Sequence, residues 1–275
     1  MKILFPSDIT AENSERYDLF LRLWKGGFSF SGFISGEKDS FFHKTVFPDS
    51  NVSYMDFLKN VFFENECMKY SCKSLNVVCV TEKYTMVPED VYMEKSKEEL
   101  LSFCTGTSEN HKTMSQHIKN QNYIILYELD SKIYEFLVRS FISANFIHFL
   151  SPMLDVWHQN SLTAYPKHIY VNIRKEVIDI AGFEHGDLIF VNSFRYENEN
   201  DLLYFAVYVL KQIGFNQLED ELFLCGETSV CKSVIKVLKT YFEHITLLSK
   251  KMEKYGIPLD EEVPYDIITL TKCGL

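Results

Sequence analysis

A pattern of nine residues occurs twice in this chain, as KGGFSFSGF at residues 25–33 and as KEVIDIAGF at residues 175–183. Identical pairs stand at one constant offset: Lys25 with Lys175, Gly32 with Gly182, Phe33 with Phe183 and Gly36 with Gly186. In both copies apolar residues alternate with polar ones, which is the period of two that half-buried strands show. The repeat therefore predicts an internal duplication in which each copy opens with a β-hairpin.

The residues after the hairpin predict the same order of elements in both copies. In the second copy we expect a strand at 188–194, a helix that begins after Asn198 and ends near Gly214, a strand at 221–226, a helix at about 230–242 and a strand at 245–248. In the first copy a strand at 41–47, a helix at 54–63 and a strand at 75–80 follow in that order. Coincidence between two amphipathic hairpins would not explain the shared order, so duplication is favoured.

The first copy carries additional segments before the second copy begins. The polar stretch 106–122 is predicted as a mobile loop, and residues 123–129 and 133–138 as a hairpin joined at 130–132. A strand at 144–149 and a helix that starts at Pro152 close this copy. We therefore predict two domains, at residues 1–165 and 166–275, with an apolar segment at 263–270 that packs back on the body.

Composition places the chain among globular proteins, since 46% of its residues are hydrophobic and 24% are charged. The formal net charge of -10 repels polyanions, so a nucleic-acid partner is disfavoured. No apolar run is long enough for the core of a signal sequence or for a membrane span, which predicts a cytoplasmic protein. The seven cysteines are odd in number and lack a C-x-x-C pair, so we expect reduced thiols.

Five stretches carry a resemblance to known proteins: LFLRLWKGGFSFSGF, YTMVPEDVY, ANFIHFLSPML, LIFVNSFRYENENDLLYFAVYVL and LFLCGE. Three antiparallel strands, helix, strand, helix, strand is the order of the ribonuclease-H-like fold, and two such domains in tandem resemble the actin, sugar-kinase and Hsp70-type ATPase superfamily. More closely, the chain resembles the bacterial family DUF3822, which is similar to the actin-like proteins of pilus assembly. The resemblance implies an α/β fold of tandem duplicated ribonuclease-H-like domains, each a mixed five-stranded sheet with flanking helices.

The same resemblance locates a candidate nucleotide site. In the superfamily the first hairpin of each domain presents a phosphate loop, usually with an Asp ahead of a Gly to manage Mg²⁺. Here the first loop, Trp24-Lys25-Gly26-Gly27, has glycines but no acid, and the second loop, residues 174–177, has no glycine. The adenosine loop keeps one glycine and has Glu in place of the other. A bound nucleotide would contact six residues: Lys25, Gly26, Gly27, Lys175, Gly226 and Glu227.

Because all three loops depart from the superfamily pattern, we expect no catalytic residue, no metal and no cofactor. The expected function is that of a non-catalytic scaffold or regulatory protein with an unidentified protein partner. Two alternatives stay open: a diverged ATP-binding enzyme, a kinase or ATPase that uses ATP and Mg²⁺ in the cleft between the domains, and a nucleic-acid-binding module. A ribonuclease-H-type nuclease is disfavoured, since the matching first strands, LFLRLW and IYVNIR, contain no acid.

Histidines offer the remaining candidates for chemistry. His111 and His117 fall in the polar stretch at a spacing that fits no helical metal site, so we expect them in solvent. His148 lies in the apolar run ANFIHFL, where a buried imidazole needs a hydrogen-bond partner. There a structural histidine is favoured over a catalytic one.

Overall fold

The computed structural model describes residues 9–37, 40–49, 51–141, 143–162, 166–226, 228–248 and 263–273, without the side chains of 228–231 and 273. Contacts divide the chain into two compact units. The first unit comprises Met1–Ile118 and Asn122–Ser151, and the second comprises Lys119–Gln121 and Pro152–Leu275. The domain boundary between residues 165 and 166 stays a prediction.

The first unit is built on a mixed five-stranded sheet and also contains a three-stranded antiparallel sheet. Its elements in chain order are β1 (Tyr17–Trp24), β2 (Gly27–Ile34), β3 (Phe42–Val46), α1 (Tyr54–Glu64), β4 (Ser74–Cys79), β5 (Tyr84–Pro88), α2 (Lys97–Thr105), β6 (His111–His117), β7 (Tyr123–Asp130), α3 (Ser131–Ser140), β8 (Ala144–His148) and α4 (Leu150–Ser161), most of which belongs to the second unit. The strand order is β3-β2-β1-β4-β8 in the larger sheet and β5-β7-β6 in the smaller one. In the larger sheet β1, β2 and β3 are antiparallel neighbours, while β4 and β8 run parallel to β1.

The second unit repeats the larger sheet. Its elements are β9 (His168–Ile173), β10 (Val177–Glu184), β11 (Asp187–Arg195), α5 (Glu199–Gln212), β12 (Glu221–Gly226), α6 (Thr228–Leu238), β13 (Ile245–Leu247) and α7 (Tyr265–Cys273). The strand order is β11-β10-β9-β12-β13, with the same antiparallel and parallel neighbours as in the first unit. Two mixed five-stranded sheets of one topology confirm the predicted fold class.

The ladders of the two sheets show which residues are equivalent. Leu21 pairs with Phe30 in the first unit and Val171 with Ile180 in the second, at the offset seen in the sequence. After the second strand, Gly36 has a φ of +89° and Gly186 a φ of +88°. This left-handed region is one that glycine adopts at little cost, so the same turn geometry explains why glycine stands at both positions.

Local sequence explains where helices begin and which face they bury. The Asn198 side chain accepts hydrogen bonds from the N–H groups of Asn200 and Asp201, so α5 starts directly after it. Buried side chains of α5 and α6 then pack with those of the sheet to form the core of the second unit: Leu202, Val209, Leu210, Val234 and Leu238 with Ile169, Val171, Ile178, Ile180, Leu222 and Leu224. Their burial provides the main stabilisation of this unit.

Two predictions for the first unit are wrong. The stretch 106–122 is not a loop throughout, because it contains β6, which pairs with β7 along its whole length. Residues 133–138 are not a strand, because they lie in α3. The Asp130 side chain accepts hydrogen bonds from the N–H groups of Lys132 and Ile133. An Asp directly before an amphipathic segment caps a helix, and this capping favours α3 over a hairpin.

The end of the chain agrees better with its prediction. α6 ends at Leu238 rather than near residue 242, because turns follow it. The apolar segment predicted at 263–270 contains most of α7, which is largely buried. The Tyr265 ring stacks on Trp157 of α4 with 6.1 Å between the centroids. The segment therefore packs on the body of the second unit, as expected.

Five of the cysteines have free thiols in the described part of the chain, and three of these, Cys67, Cys79 and Cys225, are buried. Burial raises the pKa of the Cys79 thiol to about 12, so this thiol stays neutral.

Among the helices that the structure describes, each is too short or too polar to cross a membrane.

Candidate functional site

The first loop joins β1 to β2 through Lys25 and Gly26, both of which are exposed. The indole of Trp24 lies beside the glycines: a Cβ on Gly27 would be 2.9 Å from the ring, and one on Gly26 would be 3.5 Å from it. The Arg22 guanidinium lies 5.2 Å from the centre of the same ring. Trp24 therefore occupies space beside the glycine backbone that a phosphate cradle would need.

Gly27 is explained by packing of the protein itself. A Cβ at this position would lie 2.7 Å from the carbonyl oxygen of Val46, closer than real side chains come. The Tyr54 hydroxyl donates to the Gly27 carbonyl at 2.8 Å, which holds the end of the loop. Burial raises the pKa of Tyr54, so its hydroxyl stays a neutral donor.

Gly26 has no such constraint, and we expect Gly26→Ala to leave stability unchanged or to raise it by up to about 1 kcal/mol. The new methyl group would meet no described atom closer than 3.5 Å, while the unfolded chain loses conformational freedom. Urea denaturation measures the change. Gly27→Ala is the matched control and should unfold more easily, because its methyl group would approach Val46 too closely. Equal losses of stability in the two variants would contradict this account.

The second loop joins β9 to β10 and contains Arg174, whose guanidinium is held by the carboxylate of Asp179. Nε and Nη2 of Arg174 donate to the two oxygens of Asp179 at 2.9 and 2.7 Å, which makes a bidentate pair. The Asn172 amide donates to the same carboxylate at 2.8 Å and the Ser193 hydroxyl at 2.6 Å. Asp179 is only 1% exposed, so the four groups form one network around a buried carboxylate.

This network leaves Asp179 no position at which to bind a metal ion. A carboxylate offers about four lone-pair sites, and four donor atoms fill those of Asp179. The backbone of the loop is also held, because the Tyr196 hydroxyl donates to the Arg174 carbonyl at 2.6 Å and the Tyr196 N–H donates to the Glu176 carbonyl at 3.0 Å. Asp179 therefore has a structural role.

Gly226 lies at the end of a strand, next to the start of this loop. It ends β12 and pairs with Ile173, the last residue of β9. Its φ is +100°, and a Cβ there would lie 2.0 Å from the Ile173 carbonyl oxygen, so the backbone itself requires glycine. Lys175 is exposed in the same loop. Glu227, the sixth residue assigned to a nucleotide by resemblance, lies outside the described residues.

A different polar network occupies the first unit. His43 on β3 contacts the Ser31 hydroxyl through Nδ1 at 2.7 Å and the Thr45 hydroxyl through Nε2 at 3.1 Å. Burial, and then the charge of Arg22, lower the pKa of His43 to about 4. His43 is therefore neutral near pH 7 and links β2 to β3. Because Ser31 is fully buried, this Ser–His pair is not accessible to a substrate.

The contacts of His148 fit the predicted structural role. It ends β8, is fully buried, and has its Nε2 3.1 Å from the Thr81 carbonyl oxygen. Its ring packs against those of Tyr84 and Tyr127, with 4.8 and 5.2 Å between centroids. Such a group holds β8 in place and offers little to a substrate.

The described residues include two exposed histidines on β6 and a small apolar cavity, and neither of these features forms a ligand site. His111 and His117 are exposed at opposite ends of β6, and no three described His, Cys, Asp or Glu side chains are grouped to hold a metal. A cavity of about 10 Å³ lies between α1, α3 and the sheet of the first unit, lined by apolar side chains. Small-molecule sites are usually about 300–1,000 Å³, so this cavity is a small packing defect.

The Arg174–Asp179 pair is the feature that the sequence analysis does not find. The pair could have been found from the strand register, which places Asp179 opposite Asn172 on one side and opposite Ser193 on the other. A hairpin aligned in this register places one acid among an amide, a hydroxyl and the arginine of the turn. The loop composition alone, without that alignment, shows only that a glycine is missing.

A model of the family described as "Protein of unknown function (DUF3822)" matches residues 6–245. The chain belongs to this family. A crystal structure from Bacteroides thetaiotaomicron VPI-5482, described as a protein with actin-like ATPase fold and unknown function, is 30% identical at a TM-score of 0.84, and the match covers 98% of this chain and 100% of that chain. No curated protein matches the sequence.

DUF3822 membership and this actin-like neighbour confirm the resemblance that the sequence showed. A second solved structure, the PilM-PilN type IV pilus biogenesis complex, matches at a TM-score of 0.54 with 9% identity and covers 94% of this chain and 98% of that chain. At this identity the likeness concerns the fold alone. The DUF3822 protein thus has an actin-like ATPase fold, and its family carries no assigned activity.

Proposed function

We propose that this DUF3822 protein is a non-catalytic scaffold or regulatory protein that binds another protein. One observation carries the proposal: Arg174, Asn172 and Ser193 occupy the lone pairs of the buried Asp179 carboxylate. Phosphoryl transfer depends on acids that hold Mg²⁺ beside the phosphates. An acid that is already saturated by protein donors does not serve this purpose.

The first loop supports the same conclusion. It contains no acid, Trp24 stands beside its glycines, and the close approach to Val46 gives Gly27 a structural explanation. Glycine is likewise required at position 226, because the backbone of β9 leaves no space for a side chain there. The glycines that remain in the loops are therefore weak arguments for a nucleotide.

A protein partner is supported by the similar fold of PilM, which the name of that structure places in a complex with PilN. The net charge of -10 argues for a partner other than nucleic acid. A fold that has lost the chemistry of its loops still presents a large surface, and fold and activity are separable in this way.

Titration calorimetry with ATP, with and without Mg²⁺, tests the non-catalytic part of the proposal. We expect no binding heat at about 1 mM ATP, no phosphate release and an unchanged Tm, because bound ligand would raise the Tm. Lys25→Ala, which changes the exposed loop lysine, should behave like the parent protein. Micromolar, Mg²⁺-dependent affinity that is lost in Lys25→Ala would instead favour the diverged ATP-binding enzyme.

Affinity capture from the cells that make the protein tests the partner. We expect one or more proteins to be recovered to the same extent with and without ATP. Recovery that requires ATP would favour a nucleotide-driven function. Recovery of RNA or DNA, with binding that weakens steeply as salt increases, would favour the nucleic-acid-binding alternative.

A further inference from the structure

Helix α5 exposes apolar side chains on the side that does not contribute to the core. Tyr204 is 62% exposed, Tyr208 is 48% exposed, and Val207 between them is 39% exposed. The two tyrosine rings stack at 5.9 Å with 17° between their planes. Because the rings already order each other, little rotamer freedom remains to be lost when this surface is covered.

These residues belong to one stripe along the helix, which we call the α5 stripe: Asn200, Tyr204, Val207, Tyr208 and Lys211. Their spacing of three and four places them on one face, and all five are exposed. Exposed Glu197 precedes the N-cap of the helix, at the end opposite Lys211. The stripe is therefore aromatic in its middle and basic at its end, and the acidic Glu197 lies just before its beginning.

We infer that the α5 stripe is a self-association surface and that its partner is the α5 stripe of a second copy, packed antiparallel. Glu197 lies just before the start of α5, and Lys211 lies in its last turn. In an antiparallel pair with a two-fold axis at Tyr204, the Lys211 end of each copy therefore faces the Glu197 end of the other. The same axis places Tyr208 opposite Asn200, where hydroxyl and amide are able to hydrogen-bond.

The charge pattern favours this occupant over others. An interface between identical copies related by a two-fold axis must be complementary to itself, and the α5 stripe has that property in the antiparallel orientation. A parallel copy would bring Lys211 against Lys211 and Glu197 against Glu197. A partner of one charge sign would be repelled at one end of the stripe.

Two edge strands, β11 and β3, offer a poorer surface for a second copy. At one edge of the second sheet, β11 contains a bulge opposite Gly182 and Phe183, and the Asn192 side chain accepts a hydrogen bond from the Ser193 N–H at 2.8 Å. At one edge of the first sheet, β3 carries the exposed Lys44. Bulges, occupied N–H groups and edge lysines all oppose strand addition.

The size of the stripe limits the strength of this association. With about 150–250 Å² for each aromatic side chain, the exposed parts of Tyr204, Val207 and Tyr208 amount to roughly 300 Å² per copy. Stable interfaces bury about 800 Å² per partner. We therefore expect a weak dimer whose population depends on protein concentration.

Sedimentation velocity of the full chain from about 1 to about 200 µM tests this association. We expect the weight-average sedimentation coefficient to rise towards that of a dimer. In the double variant Tyr204→Ser with Tyr208→Ser, Kd should increase by at least about tenfold, because both rings lie at the centre of the contact. Phe103→Ser is the matched control, since Phe103 on α2 is 89% exposed but lies outside the stripe.

A charge-reversal series tests the orientation. Glu197→Lys or Lys211→Glu alone should weaken the dimer by about two- to fivefold, and the double reversal should restore it, because each pair then regains opposite charges. A chain that stays monomeric at every concentration, or dimers that are unaffected by the tyrosine substitutions, would overturn the inference. The association does not depend on ATP, so its failure would leave the proposed function standing.

Discussion

The substitution Asp179→Ala is expected to destabilise the second unit by about 3–5 kcal/mol, which is the effect of removing one partner from a buried ion pair. The Arg174 side chain is 18% exposed, so some water reaches it and the lower end of this range is expected. The Asn172 amide and the Ser193 hydroxyl lose the same acceptor. Urea denaturation followed by circular dichroism measures the loss.

Two controls separate the network from a general effect of substitution. Lys175→Ala changes an exposed residue of the same loop and should alter stability by less than about 0.5 kcal/mol. The double variant Arg174→Ala with Asp179→Ala should lose less stability than the sum of the two single variants, because each single change already breaks the pair. Strict additivity would show that Arg174 and Asp179 do not stabilise each other.

The stability of the first unit is expected to fall when the pH decreases from 6.5 towards 4. The pKa of His43 is lowered from 6.5 to about 4, first by burial and then by Arg22, so the unfolded chain binds a proton that the folded chain does not. The contribution of His43 is therefore complete above pH 6.5 and is lost progressively as the pH falls, and the total loss reaches about 3 kcal/mol below pH 4.

Denaturation curves at about pH 7 and about pH 5 measure this dependence, with His43→Gln as the comparison. Gln keeps hydrogen-bonding groups for Ser31 but does not titrate, so the variant should lose less stability on acidification. The pKa of His168 is also lowered, by burial, against the opposing charges of Glu221 and Asp220. That histidine is present in both proteins and contributes equally to both. An identical pH dependence in the two proteins would exclude His43 as its source.

Much of the fold is accessible from the sequence because the chain repeats itself. Gly36 and Gly186 occupy the same left-handed turn, and the predicted strand at 221–226 has those bounds in the structure. The helix predicted to begin after Asn198 does so, and the Asn198 side chain accepts the hydrogen bonds of an N-cap. Such features depend on a few neighbouring residues, so sequence patterns describe them well.

The additional segments of the first unit are harder to predict, since their patterns are ambiguous. The sequence of β6, HKTMSQH, is polar and lacks the apolar alternation of a buried strand. It forms a strand because its residues pair with those of β7, which is largely buried. Residues 133–138 have apolar residues that suit either period, and the cap at Asp130 favours the helix.

The sequence by itself determined the duplication, the order of elements that the two copies share and the absence of an acid from the first loop, because these depend on periodicity and composition. The tertiary structure decided what the candidate site does. It brought Asp179 against Arg174, Asn172 and Ser193 across three neighbouring strands and a turn. A carboxylate binds whichever donors surround it, and those donors become neighbours only when the strands pair.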